Sequence, residues 1–497
     1  MAEPIDFAAT IASLQEQIDT LNGELAGHRK LIETGDIDAF WLLFGGVLVF
    51  WMQAGFAMLE VGSVSKKNTK NILVKNIFDA CIAAMMWWAI GSSLAGGTGD
   101  DFTSDGSNGF AGNGALFLST STANKSAYAK ASWFFGWTFA GAGCTIVSGA
   151  IAERATFTAY AIYSVVLTGF VYPPVVHMMW GAGRFSAWRS LSSRPHNDDA
   201  DDASAGRLFG DCGVIDFAGS GTVHMTGGVA AIIAAKFMGT RKGFPDNLPE
   251  GQPVYQALGI FILWMGWYGF NCCSTLYIDG YAQSAAHVAV TTTLGAAAGC
   301  LSTSAIGYAI FHYIDPGYVY NGVLAGLVGI TSPCAVVSPA GAVIIGALAG
   351  PVYVAASTAV KKAGIDDAVD AFAVHGACGM WGVIAAGLFA TPYYYTVSYY
   401  SERKDDCAGI FYGGKATGSF AAAFACIGVI LAWVGSTMTI LFGTLSATGQ
   451  LRVTAEVEAT GLDDSKHGGA ISDVKVEDIV AKGEGIGGGT VVIPSEA

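Results

Sequence analysis

The sequence predicts an all-α integral membrane protein of eleven transmembrane helices, on three observations. Apolar residues make up 52% of the chain and charged residues only 13%, about half the charged share of a soluble domain. Long stretches carry no Asp, Glu, Lys or Arg, and most exceed the roughly 20 residues that a bilayer crossing needs. The run from Gln256 to Cys273 is apolar or aromatic almost all round, whereas a helix of a soluble protein shows a polar face. The 67 glycines fit a bundle in which small residues let helices approach closely.

Taken in order, the spans are expected near 39–62, 72–97, 131–152, 156–180, 217–237, 254–273, 282–307, 318–332, 340–360, 371–391 and 416–446. The uncharged run 317–360 is too long for one crossing, and Pro333 and Pro339 divide it, leaving a short eighth span. Residues 37–447 therefore form an eleven-helix domain. Residues 1–36 lack the continuous apolar core of a signal peptide. Instead Phe7, Ile11, Leu14, Ile18, Leu21, Leu25, His28 and Ile32 alternate by four and three, the seam of a coiled coil. Self-association is favoured here over one amphipathic helix lying on the surface. Residues 448–497 form a soluble tail rich in Gly and acid, disordered after Ser472.

Short loops rich in Lys and Arg set the orientation. Lys66, Lys67, Lys70 and Lys75 follow span one, Arg154 follows span three, Lys236, Arg241 and Lys242 follow span five, and Lys361 and Lys362 follow span nine. Alternating spans place all of these on the cytoplasmic side, with the N-terminus outside and the C-terminus inside. Arg184, Arg189, Arg194 and Arg207 lie opposite, in a long loop crowded with Asp198, Asp199, Asp201 and Asp202.

The net charge of −14 argues against a nucleic-acid partner. Most of the ten Cys lie in apolar segments, as Cys144, Cys300 and Cys426 do. No CxxC pair or zinc spacing occurs, so neither a metal nor a cofactor is expected. Cys212 and Cys407 fall in polar loops, and sequence leaves open whether they pair. No enzyme signature competes: GGGT at 487–490 lacks the strand–helix context of a phosphate loop, and no Ser-His-Asp grouping has a supporting motif.

Polar groups inside a span are costly and need a reason. His224 lies within span five and His375 near the start of span ten. A neutral imidazole donates from one nitrogen and accepts at the other, so two facing rings can pass a proton or bind a small nitrogen base. A lone His more often satisfies a helix carbonyl. Two in comparable segments, Asp216…His224 and Asp370…His375, favour function. Asp216 and Asp370 each read as a helix cap, with Asp216 also able to shape the field at an outer cation site. Phe139, Trp180, Trp267 and Phe270 fall near the outer ends of spans three, four and six. Singly they suit an interfacial belt; together with Ser274, one turn after Phe270, they suit a cation–π site worth about 0.5–2 kcal/mol per ring. Glu60 closes span one and either faces a polar vestibule or caps the next helix.

Seven stretches carry a family resemblance: QAGFAMLEVGSVSKKN (53–68), GAIAER (149–154), TGFVYPPVVHMMWG (168–181), DFAGSGTVHMTGG (216–228), GWYGFNCCS (266–274), DDAVDAFAVHGACGMWG (366–382) and LRVTAEVEATGLDDSKHGG (451–469). Through them the chain resembles the ammonium transporter/methylammonium permease/Rhesus family, and most closely its plant-type ammonium transporters. The resemblance implies two inverted five-helix repeats plus a long last helix, and a homotrimer with one pore per subunit. It places Trp180 and Ser274 at an outer ammonium site with Trp267 nearby, Asp216 in its support and Tyr172 close to it. Phe139 and Phe270 match a stacked gate, and His224 and His375 a pore pair. Gly461 matches a conserved regulatory tail, in which Ser465 stands for a Thr that a kinase phosphorylates in plant relatives. Leu59 stands where some members have a pore-mouth Phe.

The function implied is uptake of NH4+ at the plasma membrane: recruitment, deprotonation, then conduction of NH3 and of the proton through the twin-His pore, an electrogenic route. Two other readings remain, a Rhesus-like neutral NH3/CO2 channel and an ammonium sensor with little flux.

Overall fold

The computed structural model describes residues 13–21, 34–96, 109–114, 116–118, 126–181, 183, 185–187, 209, 212–246, 248, 251–399 and 403–468. Among these residues the fold is helical, with β-pairing confined to two isolated bridges, Ala155 with Arg452 and Ser186 with Val214.

The helices follow the expected spans. They are α1 Thr34–Ser63, α2 Lys66–Ala95, α3 Ala127–Ala150, α4 Phe157–Met179, and α5, made of Ser220–Met225 and Thr226–Met238. Then come α6 Pro253–Cys272, α7 Ala282–Phe311, α8 Pro316–Thr331, α9 Pro339–Lys362, α10 Phe372–Phe389 and α11 Ala416–Ala447. Eight are long and apolar enough to cross a membrane. The other three, α3, α5 and α8, are less apolar or shorter, α8 having 16 residues. Local chemistry sets the starts. Ser126, Thr156, Asp315 and Ser338 each accept from a first-turn amide, and Pro opens α6, α8 and α9, where its missing N–H costs nothing.

Two antiparallel crossings organise the bundle. In one, α1 and α6 run so close that a Cβ at Gly259 would lie 2.6 Å from the Leu59 amide nitrogen. In the other, α5 meets α10: a Cβ at Gly228 would lie 2.2 Å from the Gly376 nitrogen, closer than any real contact. Only glycine allows that approach, and it brings the two histidine-bearing segments face to face. These two pairings, first helix with sixth and fifth with tenth, fit two inverted repeats that meet at their first and last helices.

At one end of the bundle, called inner below, the turns are tied by buried ion pairs. Arg241 Nη1 meets Glu153 Oε2 at 2.6 Å and its Nη2 meets Asp366 Oδ1 at 2.9 Å. The tail docks there. The Val453 N–H donates to the Arg154 carbonyl at 2.9 Å, and two short helices follow, α12 Ala455–Thr460 and α13 Leu462–His467. Asp463 caps the start of α2, accepting from the amides of Asn71 (2.8 Å) and Lys70 (3.0 Å). Within the chain the tail thus meets the α1–α2 turn, the α3–α4 turn and, through Arg452, the Met238 carbonyl at the end of α5. At the outer end, Cys212 and Cys407 form a disulfide with Cα atoms 5.2 Å apart.

Of the N-terminal seam, residues 13–21 are helical, and Leu14, Ile18 and Leu21 are exposed. The rest of that segment, the tail beyond 468, and nearly all of the Asp-rich loop 195–211 lie outside the described residues.

Candidate functional site

A small cavity of about 80 Å3 opens at the outer end, lined by Trp87, Ser132, Phe135, Phe139, Tyr172, Trp180, Phe217, Ser274 and their neighbours. Trp180 and Ser274 thus share one chamber. The Ser274 hydroxyl donates to the Phe270 carbonyl at 2.7 Å. Its proton is committed, so toward the cavity it offers only lone pairs, suited to an N–H donor. The Trp180 indole N–H is spent on the Asp216 carbonyl at 2.6 Å, which fixes the ring and leaves its face to the chamber. The Tyr172 hydroxyl is buried without a hydrogen-bond partner.

Asp216 does not line this chamber. Its carboxylate accepts from the Thr222 amide (2.8 Å), the Thr222 hydroxyl (2.7 Å) and the Gly221 amide (3.3 Å). It is 2% exposed. It holds the start of α5 from behind the wall.

Inward from Trp180 the rings form a series. Phe139 lies 5.9 Å from Trp180, and Phe270 stacks on Phe139 at 4.1 Å. Phe139 closes the floor of the chamber, with Phe270 fully buried behind it. Beyond them His224 stacks on Phe270 at 5.3 Å, and His375 follows at 5.2 Å. The two imidazoles face through Nδ1 atoms 3.2 Å apart, so one donates and the other accepts. His224 Nε2 is buried and has no hydrogen-bond partner. Each ring has an aromatic neighbour from the α1/α6 crossing: Trp267 at 5.0 Å from His224, and Phe56 at 6.2 Å from His375.

Trp267 is therefore separated from Trp180 and Ser274. It lies beyond the Phe pair, with its N–H given to Thr331 Oγ1 at 2.8 Å. Leu59 is at the other end altogether, lining a small inner cavity with Glu60 and His375, so it says nothing about how aromatic the outer chamber is. The expected pairing Asp370…His375 also shifts. Asp370 accepts from the Tyr353 and Ser357 hydroxyls, each at 2.9 Å. The amide of Phe372 donates instead to Asp367, at 2.7 Å. Asp367 precedes His375 by the same eight residues that separate Asp216 from His224, and each carboxylate takes the amide five residues on. Asp367 is thus the counterpart of Asp216 in the second repeat.

Both histidines sit in wide π-type turns, Ser220–Met225 and Phe372–Ala377, a local form that collects at functional sites. Sequence reasoning missed these turns, and missed Trp87, Phe135 and Phe217 in the chamber wall. The clustered aromatics of SWFFGW (132–137) were the available signal. Gly461 joins α12 to α13 at φ 105°, and Ser465 donates to the Gly461 carbonyl at 2.7 Å.

A helical membrane bundle with an aromatic-floored outer chamber over a buried imidazole pair defines a membrane transport protein for a small solute. The sequence matches the Ammonium Transporter Family over residues 39–471, and the chain belongs to that family. It is 37% identical to ammonium transporter Amt2 of Archaeoglobus fulgidus over 87% of each chain. It is 37% identical to ammonium transporter 1 member 3 of Solanum lycopersicum over 90% of this chain and 96% of that one. Among solved structures, a sensor Amt protein superposes with a TM-score of 0.74 at 28% identity, covering 87% of this chain and 98% of the other. Candida albicans Mep2 shares the fold at 22% identity and a TM-score of 0.70, over 86% and 89%.

Proposed function

We propose that this chain takes up ammonium by binding NH4+ in the outer chamber, deprotonating it at the Phe gate, and conducting NH3 and the proton separately. Trp180 offers its face and Ser274 a lone pair, while Asp216 adds a field without a contact that would trap the ion. Carrying the intact cation past Phe139 and Phe270 costs several kcal/mol of desolvation, a cost removed when the nitrogen crosses as NH3 and its proton is passed on separately to the imidazole pair. NH3 then meets His224 and His375. Potassium has no proton to shed and is refused on that ground. The observation that carries the reading is the His224–His375 Nδ1 contact directly behind the stacked Phe139–Phe270 pair.

The test is the current evoked by ammonium in a heterologous cell, measured with labelled methylammonium uptake. Wild-type protein is expected to carry inward current without admitting K+. Replacing both histidines by Asn is expected to abolish that current or admit K+; an undiminished, K+-excluding current would refute the imidazole route. A Rhesus-like neutral channel would give uptake without current, and a sensor would give binding with little of either.

The same reading extends to the whole protein. It crosses the membrane eleven times as a homotrimer, in the plasma membrane, with the Lys- and Arg-rich turns and the tail in the cytoplasm. A kinase acting on Ser465 regulates it, and it performs no catalysis. Relatives named as ammonium transporters over most of their length support the transport reading.

A further inference from the structure

Glu60 closes α1 in the sequence, yet it is neither exposed nor a cap for α2. It is 2% exposed, and its Oε2 accepts from Asn76 Nδ2 and from the Ser148 hydroxyl, each at 2.9 Å. It lines one inner cavity with His375 and Thr145. The Thr145 hydroxyl reaches Asp79 Oδ2 at 2.7 Å, and Asp79 also accepts from Ser164 at 2.7 Å. A carboxylic side chain is thus built into the wall of the inner cavity, on the far side of the histidines from the stacked Phe139–Phe270 pair.

The repeat shows that packing does not require an acid there. Phe56 of α1 lies against His375 as Trp267 of α6 lies against His224. One helical turn beyond Phe56 is Glu60; one turn beyond Trp267 is Asn271. Asn271 is fully buried and donates to Thr292 Oγ1 on α7 at 3.0 Å, whereas Glu60 accepts from Asn76 on α2. The equivalent place in the other repeat is thus filled by a neutral amide, tied like Glu60 to the helix that follows. An ionisable group in an apolar bundle is costly to keep, so its presence on the inner side alone asks for a use.

We propose that Glu60 is the inner proton acceptor of the transport cycle. The inference rests on the proton route through His224 and His375. The N–H bond of the protonated imidazole at His375 breaks and an O–H bond forms on Glu60, through water in the shared cavity. Ammonia leaving the pair then takes that proton: the O–H bond breaks, a fourth N–H bond forms, and NH4+ departs with the carboxylate restored. The titratable groups around Glu60 are Lys75 and Asp79 on α2, Cys144 on α3, Tyr160 on α4 and His375 on α10. Lys75 donates to the Ala155 carbonyl at 2.8 Å and stands 5.5 Å over the Tyr160 ring, so it partly balances the charge without occupying the carboxylate.

The experiment compares wild type, Glu60→Gln and Glu60→Asp in full-length protein, reading ammonium-evoked current per molecule at the cell surface. Glu60→Gln keeps an acceptor for Asn76 and Ser148. It is expected to lose current at least tenfold while half-saturating ammonium stays within twofold, because the outer chamber is untouched. Glu60→Asp is expected to retain a reduced current. A wild-type current with Glu60→Gln unchanged in amplitude would overturn this inference alone; no wild-type current would overturn the parent reading. Should Glu60→Gln fail to reach the membrane, infrared difference spectra on adding ammonium decide. A carboxylic C=O band that shifts between wild type and Glu60→Asp supports the assignment, and identical spectra reject it.

Discussion

At the scale of single residues, the outer chamber works by leaving few options to its groups. Ser274 and Trp180 already donate their hydrogen bonds within the protein, so an N–H donor in the chamber would meet a lone pair and a ring face. Ser274→Ala removes the lone pair and is expected to raise half-saturating ammonium about fivefold to tenfold, as loss of one hydrogen bond worth about 1 kcal/mol implies. Maximal current should change less, which a concentration–response series checks. Trp180 is seated by Gly219, whose φ is 107° and where a Cβ would lie 2.8 Å from the indole ring. Gly219→Ala should therefore displace the indole and weaken affinity even though position 219 touches no substrate; an unchanged half-saturation would show that the seat is not needed. These residues were legible because polar or aromatic groups in apolar spans are conspicuous. Their register was not. Asp367 and Asp370 look alike in DDAVDAF, and only the backbone shows which carboxylate meets the Phe372 amide. Trp267 and Phe270 are neighbours in sequence but stand along the passage at different depths, because a helix advances about 1.5 Å per residue.

At the scale of helices, the length and order of the spans could be read from charge-free runs, down to the short eighth span ended before Pro333. The π-type turns around His224 and His375 could not, since a widened turn leaves composition and periodicity almost unchanged over six residues. These turns and the α5–α10 crossing act together: the turn aims each ring, and Gly228 lets the two backbones touch. Gly228→Leu forces a side chain into the Gly376 backbone, where the nearest atom would lie 2.2 Å from its Cβ. Overpacking of this kind costs about 1–3 kcal/mol. The expected result is a lower thermal unfolding temperature in detergent together with a current reduced out of proportion to the surviving folded protein, because the imidazole contact at 3.2 Å has no slack. Equal losses of fold and current would mean that the crossing only stabilises.

Across the whole molecule, the inner turns and the tail form one connected assembly. Burial works to raise the carboxyls of Glu153 and Asp366, but hydrogen bonds outweigh it and hold both below their ordinary values, from Ser65 and Arg241 for Glu153 and from Arg241 for Asp366. A carboxylate held low when folded adds stability above its unfolded value and loses it as pH falls through the folded one. Arg241→Ala should therefore cost about 3–5 kcal/mol at pH 7, the range for breaking a buried pair, and much less under acid below the ordinary carboxylate range; unfolding measured at both pH values checks the difference. The tail joins this assembly through Asp463, which is 1% exposed and holds the first amides of α2, the helix that carries Asn76 and Asp79. Two residues on, Ser465 already bonds to Gly461. A phosphate at Ser465 adds about −1.5 to −2 charge beside Asp463 and Asp464 and takes away the hydroxyl proton. Repulsion then acts on the carboxylate that caps α2, within the same chain. Ser465→Asp is expected to loosen residues 455–468, seen as faster proteolysis after Lys466, and to lower ammonium current. Asp463→Asn, which keeps an acceptor but removes the charge, is expected to blunt that effect. A Ser465→Asp protein with wild-type current and unchanged proteolysis would separate the tail from control of the passage.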